Sequence, residues 1–271
     1  MSRIIFFGGS KFSQYYLDAL KNTRNEVCAF NTLPTKEEVD RLSPDIGIIA
    51  YFGYIVPEDI LRIPKKGFIN VHYSLLPRWR GPAPVQAAIL AGDKEIGVSV
   101  AVVVKKVDAG PIIAQETVPL APNDSYQSLE EKLIPLGSKM LLAALPKYLT
   151  GSAELKAQNE TEATYSKKIN KSDGRIDWSE SAEYIERMTR AYDPWPSAYT
   201  EIHHQTKILK IKRAAVISAP AAADIGAIFK TADGFPAVVC GTDALKLVTV
   251  QPEGKKEMPG DAYLRGNKFI F

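Results

Sequence analysis

A chain of 271 residues with 45% hydrophobic and 24% charged side chains can bury one large core, or one core and a small second domain, which excludes a disordered polymer. Its longest apolar runs, residues 45–51 and 98–104, fall far short of the about 20 residues of a membrane span. A net charge of +3 is too small to announce a nucleic-acid binder, and Cys28 and Cys240 match no metal or redox spacing, so a reducing cytoplasm is the expected setting.

Met1-Ser2-Arg3 runs directly into a strand pattern, with neither a secretory core nor an Arg/Ser-rich transit segment. Residues 3–8 are an apolar run closed by glycines, and residues 12–20 carry apolar side chains at helical spacing: strand, tight turn, helix. A second strand is expected over 27–30, then a helix over 36–42 that stops at Ser43-Pro44, then buried strands over 45–51 and 67–72. Near-continuous apolar strands alternating with helices predict an α/β fold with a doubly wound, mostly parallel, Rossmann-like sheet. Phe6-Phe-Gly8-Gly-Ser10 lacks the G-x-G-x-x-G fingerprint, so no dinucleotide is expected there.

Residues 82–90 have helical periodicity, and the β-branched run 97–105 is expected to pair with 112–118. Asn123-Asp124-Ser125 begins a long helix, with Asp124 and Gln127 in capping-box register, which runs towards Tyr148 and closes at Gly151. Residues 153–170 are polar and irregular, and 181–190 form one amphipathic helix that Asp193-Pro-Trp-Pro196 breaks. From Thr200 onward short strand-like runs separated by Gly, Pro and Asp turns predict a small open β-barrel, OB-like in type. The implied division is a catalytic domain over 1–166, a linker with a helix over 167–199 and a C-terminal β-barrel over 200–271. From Gln205 to the end, ten Lys or Arg stand against six acids. Such a module either contacts phosphates or presents a solvated surface.

The densest chemical signal is Asn70-Val-His72-Tyr-Ser74-Leu-Leu-Pro77-Arg-Trp-Arg80-Gly81. Asn70 and His72 are two apart at the end of an apolar strand, so they point to the same side of the sheet. Open α/β sheets bind ligands at such strand ends. The loop that follows is expected to leave its backbone amides free for a flat polar heterocycle. The other two histidines, His203 and His204, fall in an expected turn. A lone histidine is commonly structural, but Asn70 beside it at a strand end favours chemistry. The second signal is Asp108-Ala-Gly110-Pro after a strand. Its acid either reaches the same sheet edge or caps its own turn.

Asn70-x-His72-x-Ser74-Leu-Leu-Pro77, Arg80-Gly81 and Asp108-x-Gly110 resemble the folate-dependent formyltransferases. Trp79-Arg80-Gly81-Pro-Ala-Pro84, Tyr165-Ser-Lys-Lys168-Ile, Asp177-Trp178, Pro-Trp195-Pro and Leu264-Arg265-Gly266 are similar to the branch that formylates methionyl-tRNA. The resemblance spans nearly the whole chain. It implies Asn70, His72 and Asp108 as the catalytic trio, with Ser74, Leu75, Leu76 and Pro77, and the backbone of residues 51–55, lining the folate site. It further implies 10-formyltetrahydrofolate as formyl donor and co-substrate without a metal, and initiator methionyl-tRNA as acceptor, gripped in part by the C-terminal barrel. A cytoplasmic monomer with no membrane partner is the matching expectation. One departure is visible: residues 27–30 pass through Asn31-Thr-Leu-Pro34 almost directly into the helix before Asp45, so the N-terminal domain is shortened by the strand, helix and basic loop that family members carry there. Related enzymes that formylate amino-sugar nucleotides share the catalytic motif and are the alternative. A non-catalytic RNA- or folate-binding relative is a second, against which the intact trio argues.

Overall fold

The computed structural model describes residues 1–202 and 207–266. His203, His204 and Lys268 lie outside them. The chain divides into two compact units, one of Met1–Pro84, Lys94–Leu120 and Leu129–Lys167, the other of Val85–Asp93, Ala121–Ser128 and Lys168–Phe271.

The first unit holds β1 (Arg3–Phe7), β2 (Glu26–Phe30), β3 (Ile46–Ile49), β4 (Phe68–His72), β5 (Glu95–Val102) and β6 (Ile112–Pro119) in the order β2-β1-β3-β4-β5-β6. β1 runs parallel to β2 and β3, and β3 parallel to β4; β4–β5 and β5–β6 are antiparallel. The sheet is thus mostly parallel and Rossmann-like, as its apolar runs predict. Ile4 to Phe7 are at most 1% exposed, the burial expected of a central strand covered on both faces. One core cluster joins Ile5, Phe7, Val39, Val56, Ile60 and Phe68, with Phe52 and Val103 packed against it.

Local capping explains the helix starts. Ser10 and Ser13 form a capping box on α1 (Lys11–Lys21), and Thr35 and Glu38 form one on α2 (Lys36–Leu42). With only Asn31 to Pro34 between β2 and that cap, β2 is left as the edge of the sheet. A single turn, α3 (Glu58–Leu61), was not foreseen from periodicity, being too short to show any; α4 (Pro84–Ala91) was. The long α5 (Tyr126–Thr150) starts one residue later than expected. Ser125 therefore caps it, exchanging bonds with Ser128 (3.0 and 3.2 Å), while Asp124 accepts from the Ala121 amide and the Ser128 hydroxyl.

The second unit is built on α6 (Ala182–Ala191), β7 (Ala198–Ile202), β8 (Lys207–Ile217), β9 (Ile228–Lys230), β10 (Pro236–Val239), β11 (Ala244–Pro252), β12 (Met258–Pro259) and α7 (Gly260–Gly266). Its sheet is antiparallel, in the order β7-β8-β11-β10-β9 with β12 on β11. Register shifts at Thr249 interrupt the β8–β11 ladder, the kind of bulge that bends a strand pair towards an OB-like curl. The helix α7 has no counterpart in the expected all-β module. On α6, Arg190 is clamped by Glu186 and donates to the Asp124 carbonyl (2.7 Å), and Arg187 donates to the Leu90 carbonyl (2.8 Å). These two cations are structural.

Candidate active site

β4 presents Asn70 and His72 on one side of the sheet, opposite Ala101 and Ser99 of β5, and the turn after β5 brings Asp108 to them. Asn70 Nδ2 donates to Asp108 Oδ1 (3.2 Å), and His72 Nδ1 lies 3.6 Å from Asp108 Oδ2. The His72 side chain is 6% exposed and that of Asp108 13%. His72 Nε2 is 2.9 Å from the Trp79 carbonyl. A carbonyl only accepts, so Nε2 carries a hydrogen, and Nδ1 is the nitrogen turned to the carboxylate.

The two readings of Asp108 are now distinguished. A turn is present, closed by the Ala109 amide on the Lys106 carbonyl (3.2 Å). Its carboxylate, however, takes hydrogens from Asn70 and from the Gly81 amide (2.8 Å). Asp108 sits at φ +50°, a conformation that Asp adopts more readily than most residues but that still needs external support.

The loop after β4 does not keep its amides free. The Leu76 amide donates to Ser99 Oγ (3.2 Å), Arg78 to the Leu75 carbonyl, Trp79 to Thr164 Oγ1 and Arg80 to the Thr164 carbonyl. Ser99 also donates to the Ser74 carbonyl (2.6 Å), and Gln115 donates to Ser99 Oγ and the Leu76 carbonyl. The amides hold the loop's own shape instead, with Ser74 donating to the Arg78 carbonyl (2.6 Å) and Ser74 and Leu76 buried. The signal for Ser99 was available: a hydroxyl in a buried strand must find partners.

Sequence reasoning missed a second set. Arg80 is fully buried, and its guanidinium is gripped by Gln158 Oε1 (2.8 and 3.1 Å) and by both oxygens of Glu160 (2.8 and 3.1 Å). Lys106 pairs with the same Glu160. Gln158 and Glu160 belong to the polar stretch read as irregular, and no periodicity marks them. Hydrogen bonds from Arg80 and then Lys106 hold the Glu160 carboxyl down at about 2, against an ordinary 4.5. A lowered carboxylate stabilises the fold fully above its unfolded value and loses that contribution as pH falls through the folded one. Carboxyl carbon NMR should therefore show Glu160 ionised well below pH 4, with Arg80 released only towards pH 2; a midpoint near 4.5 would refute the grip.

In the second unit, several of the C-terminal cations are paired: Lys212 with Asp193 and Glu257, Lys246 with Asp233, Arg265 with Asp261. A cavity of about 280 Å³ is lined by Lys171, Trp195, Tyr199, Lys210, Gln251 and Glu253 among others, and Trp195 is 56% exposed. No helix among the described residues is long and apolar enough to cross a membrane.

The fold and cluster define an α/β protein with a carboxamide, an imidazole and a carboxylate gathered at a strand end, followed by an antiparallel β module. Residues 31–145 match the family described as formyl transferase, and residues 168–268 its C-terminal domain. The chain belongs to the formyltransferase family. It is 37% identical to a methionyl-tRNA formyltransferase of Chloroflexus aurantiacus over 97% of this chain and 96% of that one. With the methionyl-tRNA formyltransferase of Chloroflexus aggregans it shares 46% identity over 85% of this chain and 74% of the relative. The C. aurantiacus alignment runs over 301 residues, more than this chain contains, so the relative carries additional residues inside the aligned span. Among solved structures, a methionyl-tRNA formyltransferase from Clostridium thermocellum superposes with a TM-score of 0.64 at 20% identity, over 80% of this chain and 94% of the other; at that identity the likeness concerns the fold.

Proposed function

We propose that this chain transfers a formyl group from 10-formyltetrahydrofolate to the amino group of initiator methionyl-tRNA, with Asn70, His72 and Asp108 at the reacting atoms. The observation that carries the acceptor is the likeness to the C. aurantiacus enzyme across both modules and 96% of its length. The catalytic motif alone is common to acceptors of other kinds. The reading also makes the enzyme a cytoplasmic monomer.

The residues fit such a donor. The segment Ser74, Leu75, Leu76 and Pro77, which follows β4 directly, is assigned to line the donor site, and exposed apolar side chains at Tyr54, Ile55, Val104 and Val107 sit on two loops whose roots meet in the core at Phe52, Val56 and Val103. A flat heterocycle is held by surfaces of that kind. The bound folate supplies an activated formyl carbon on a nitrogen leaving group. Asn70 uses one amide hydrogen on Asp108, and a carboxamide has a second, which is available to the formyl oxygen as negative charge develops there. His72 Nδ1 lies on the same side. The Asp108 carboxylate accepts hydrogens, so it orients the incoming amine and takes part in removing its proton, with His72 passing a proton towards the leaving nitrogen.

The test supplies 10-formyltetrahydrofolate to the purified chain with charged initiator tRNA in one arm and amino-sugar nucleotides in another. Formylated methionyl-tRNA is the expected product. Formylation of the sugar alone would overturn the acceptor, and of neither, the enzyme.

A further inference from the structure

We propose that Gln158 is a positioning residue for formyl transfer, linking the buried Arg80 guanidinium to the turn that carries Asp108. The inference rests on the role given to Asp108 above. Gln158 Oε1 accepts from Arg80 Nε (3.1 Å) and Nη2 (2.8 Å), while Nε2 donates to the carbonyls of Asp108 (2.8 Å) and Gly110 (2.6 Å). A carboxamide has two donor hydrogens and two acceptor lone pairs, and all four are used. Turning the group over would set its NH2 against guanidinium N–H groups and its oxygen against two carbonyls, so the network admits one orientation.

The consequence falls on Asp108. Its φ of +50° is sparsely populated for a residue with a Cβ and persists where surrounding bonds over-determine it. Gln158 pins the carbonyls on either side of Ala109 and so fixes the pitch of the turn. The Arg80 segment reaches Asp108 a second time, because the amide of the next residue, Gly81, donates to its carboxylate (2.8 Å). Arg80 thus governs Asp108 through its backbone by way of Gln158 and through its side chain by way of Gly81. Glu160 holds the far edge of the guanidinium and keeps the frame from rotating. Gln158 spends its hydrogens on backbone carbonyls and touches none of Asn70, His72 or the Asp108 carboxylate; its effect is on where the carboxylate points.

Gln158→Glu separates this role from a purely structural one. The carboxylate keeps an acceptor for Arg80 and so retains the buried pairing, but it has no hydrogen for the two carbonyls. The expected result is a folded chain with a lowered thermal midpoint, because an oxygen now faces the Asp108 and Gly110 carbonyls, and a kcat lowered about 10–100-fold, the scale of a misplacement of roughly 1 Å, with KM for 10-formyltetrahydrofolate within about threefold. Gln158→Leu should lower kcat similarly. In the Asp108→Asn background, Gln158→Glu should cost nothing further, since a residue that acts through Asp108 has no effect once Asp108 is disabled. Native kcat in Gln158→Glu, or a loss that multiplies in the Asp108→Asn background, would overturn the proposal while leaving the role of Asp108 standing. An Asp108→Asn enzyme with full activity would instead remove the reading on which it rests.

Discussion

His72→Ala should lower kcat for formyl transfer by about 10²–10⁴-fold, the range for removing a group that moves a proton in the transition state, while the protein stays folded. In the cluster Asn70 only orients and donates, and Asp108 accepts. The ring is the member whose two nitrogens face different partners, Nε2 on the Trp79 carbonyl and Nδ1 towards Asp108. Deleting it removes the route between the carboxylate and the leaving nitrogen. It also leaves the Trp79 carbonyl without this donor and opens a void, a structural cost of about 1–3 kcal/mol against a typical stability of about 5–15 kcal/mol. Circular dichroism and the melting curve should therefore remain those of a folded chain, and KM for the folate should change far less than kcat. A kcat within tenfold of the parent would remove His72 from the chemistry and leave it as the anchor of the Trp79 loop.

How much of this was legible in the residues follows from what periodicity can record. β1 to β4 are short apolar runs with breakers at both ends, and their type follows from that pattern, whereas their order β2-β1-β3-β4 in the sheet does not. Asn70 and His72 were conspicuous because two polar groups at the end of such a run have no packing reason to be there. Asp108 was ambiguous, since Asp before Gly is also ordinary turn chemistry. Only the bonds to Asn70 and Gly81 separate the two readings. The misplaced cap on α5 arose because Asp124 and Ser125 are both good caps and differ by one position. Gln158 and Glu160 were invisible for a deeper reason. Their partner, Arg80, is some eighty residues away, and a stretch that is polar throughout offers no apolar residues from which a period could be read. The expectation of free loop amides failed for the opposite reason, that Ser99 and Thr164 complete a loop which on its own looks unsatisfied.

Gly110→Ala is expected to be the most damaging single-methyl change near the site. A Cβ at Gly110 would stand 1.8 Å from the carbonyl oxygen of Val102 and 2.8 Å from its carbonyl carbon. Both are backbone atoms of β5, so no side chain can rotate away and the chain itself must move. Overpacking of buried positions costs about 1–3 kcal/mol where side chains can adjust, and a backbone clash belongs at or above the top of that range. The displacement has one outlet. The turn from Lys106 to Pro111 must lift off β5, whose end it meets through the Val102 amide on the Pro111 carbonyl (2.9 Å). Lifting it withdraws the Gly110 carbonyl from Gln158 and carries Asp108 away from Asn70 and His72. The variant should therefore lose stability and lose kcat by at least about 100-fold together. Gly53, whose added Cβ would meet nothing within 4 Å, is the stability control and should accept alanine with a change within about 0.5 kcal/mol. Denaturant melts of the two variants decide the matter: equal melts for Gly110→Ala and Gly53→Ala would mean that the turn absorbs the methyl without moving β5, and the close approach at Gly110 would no longer account for its residue.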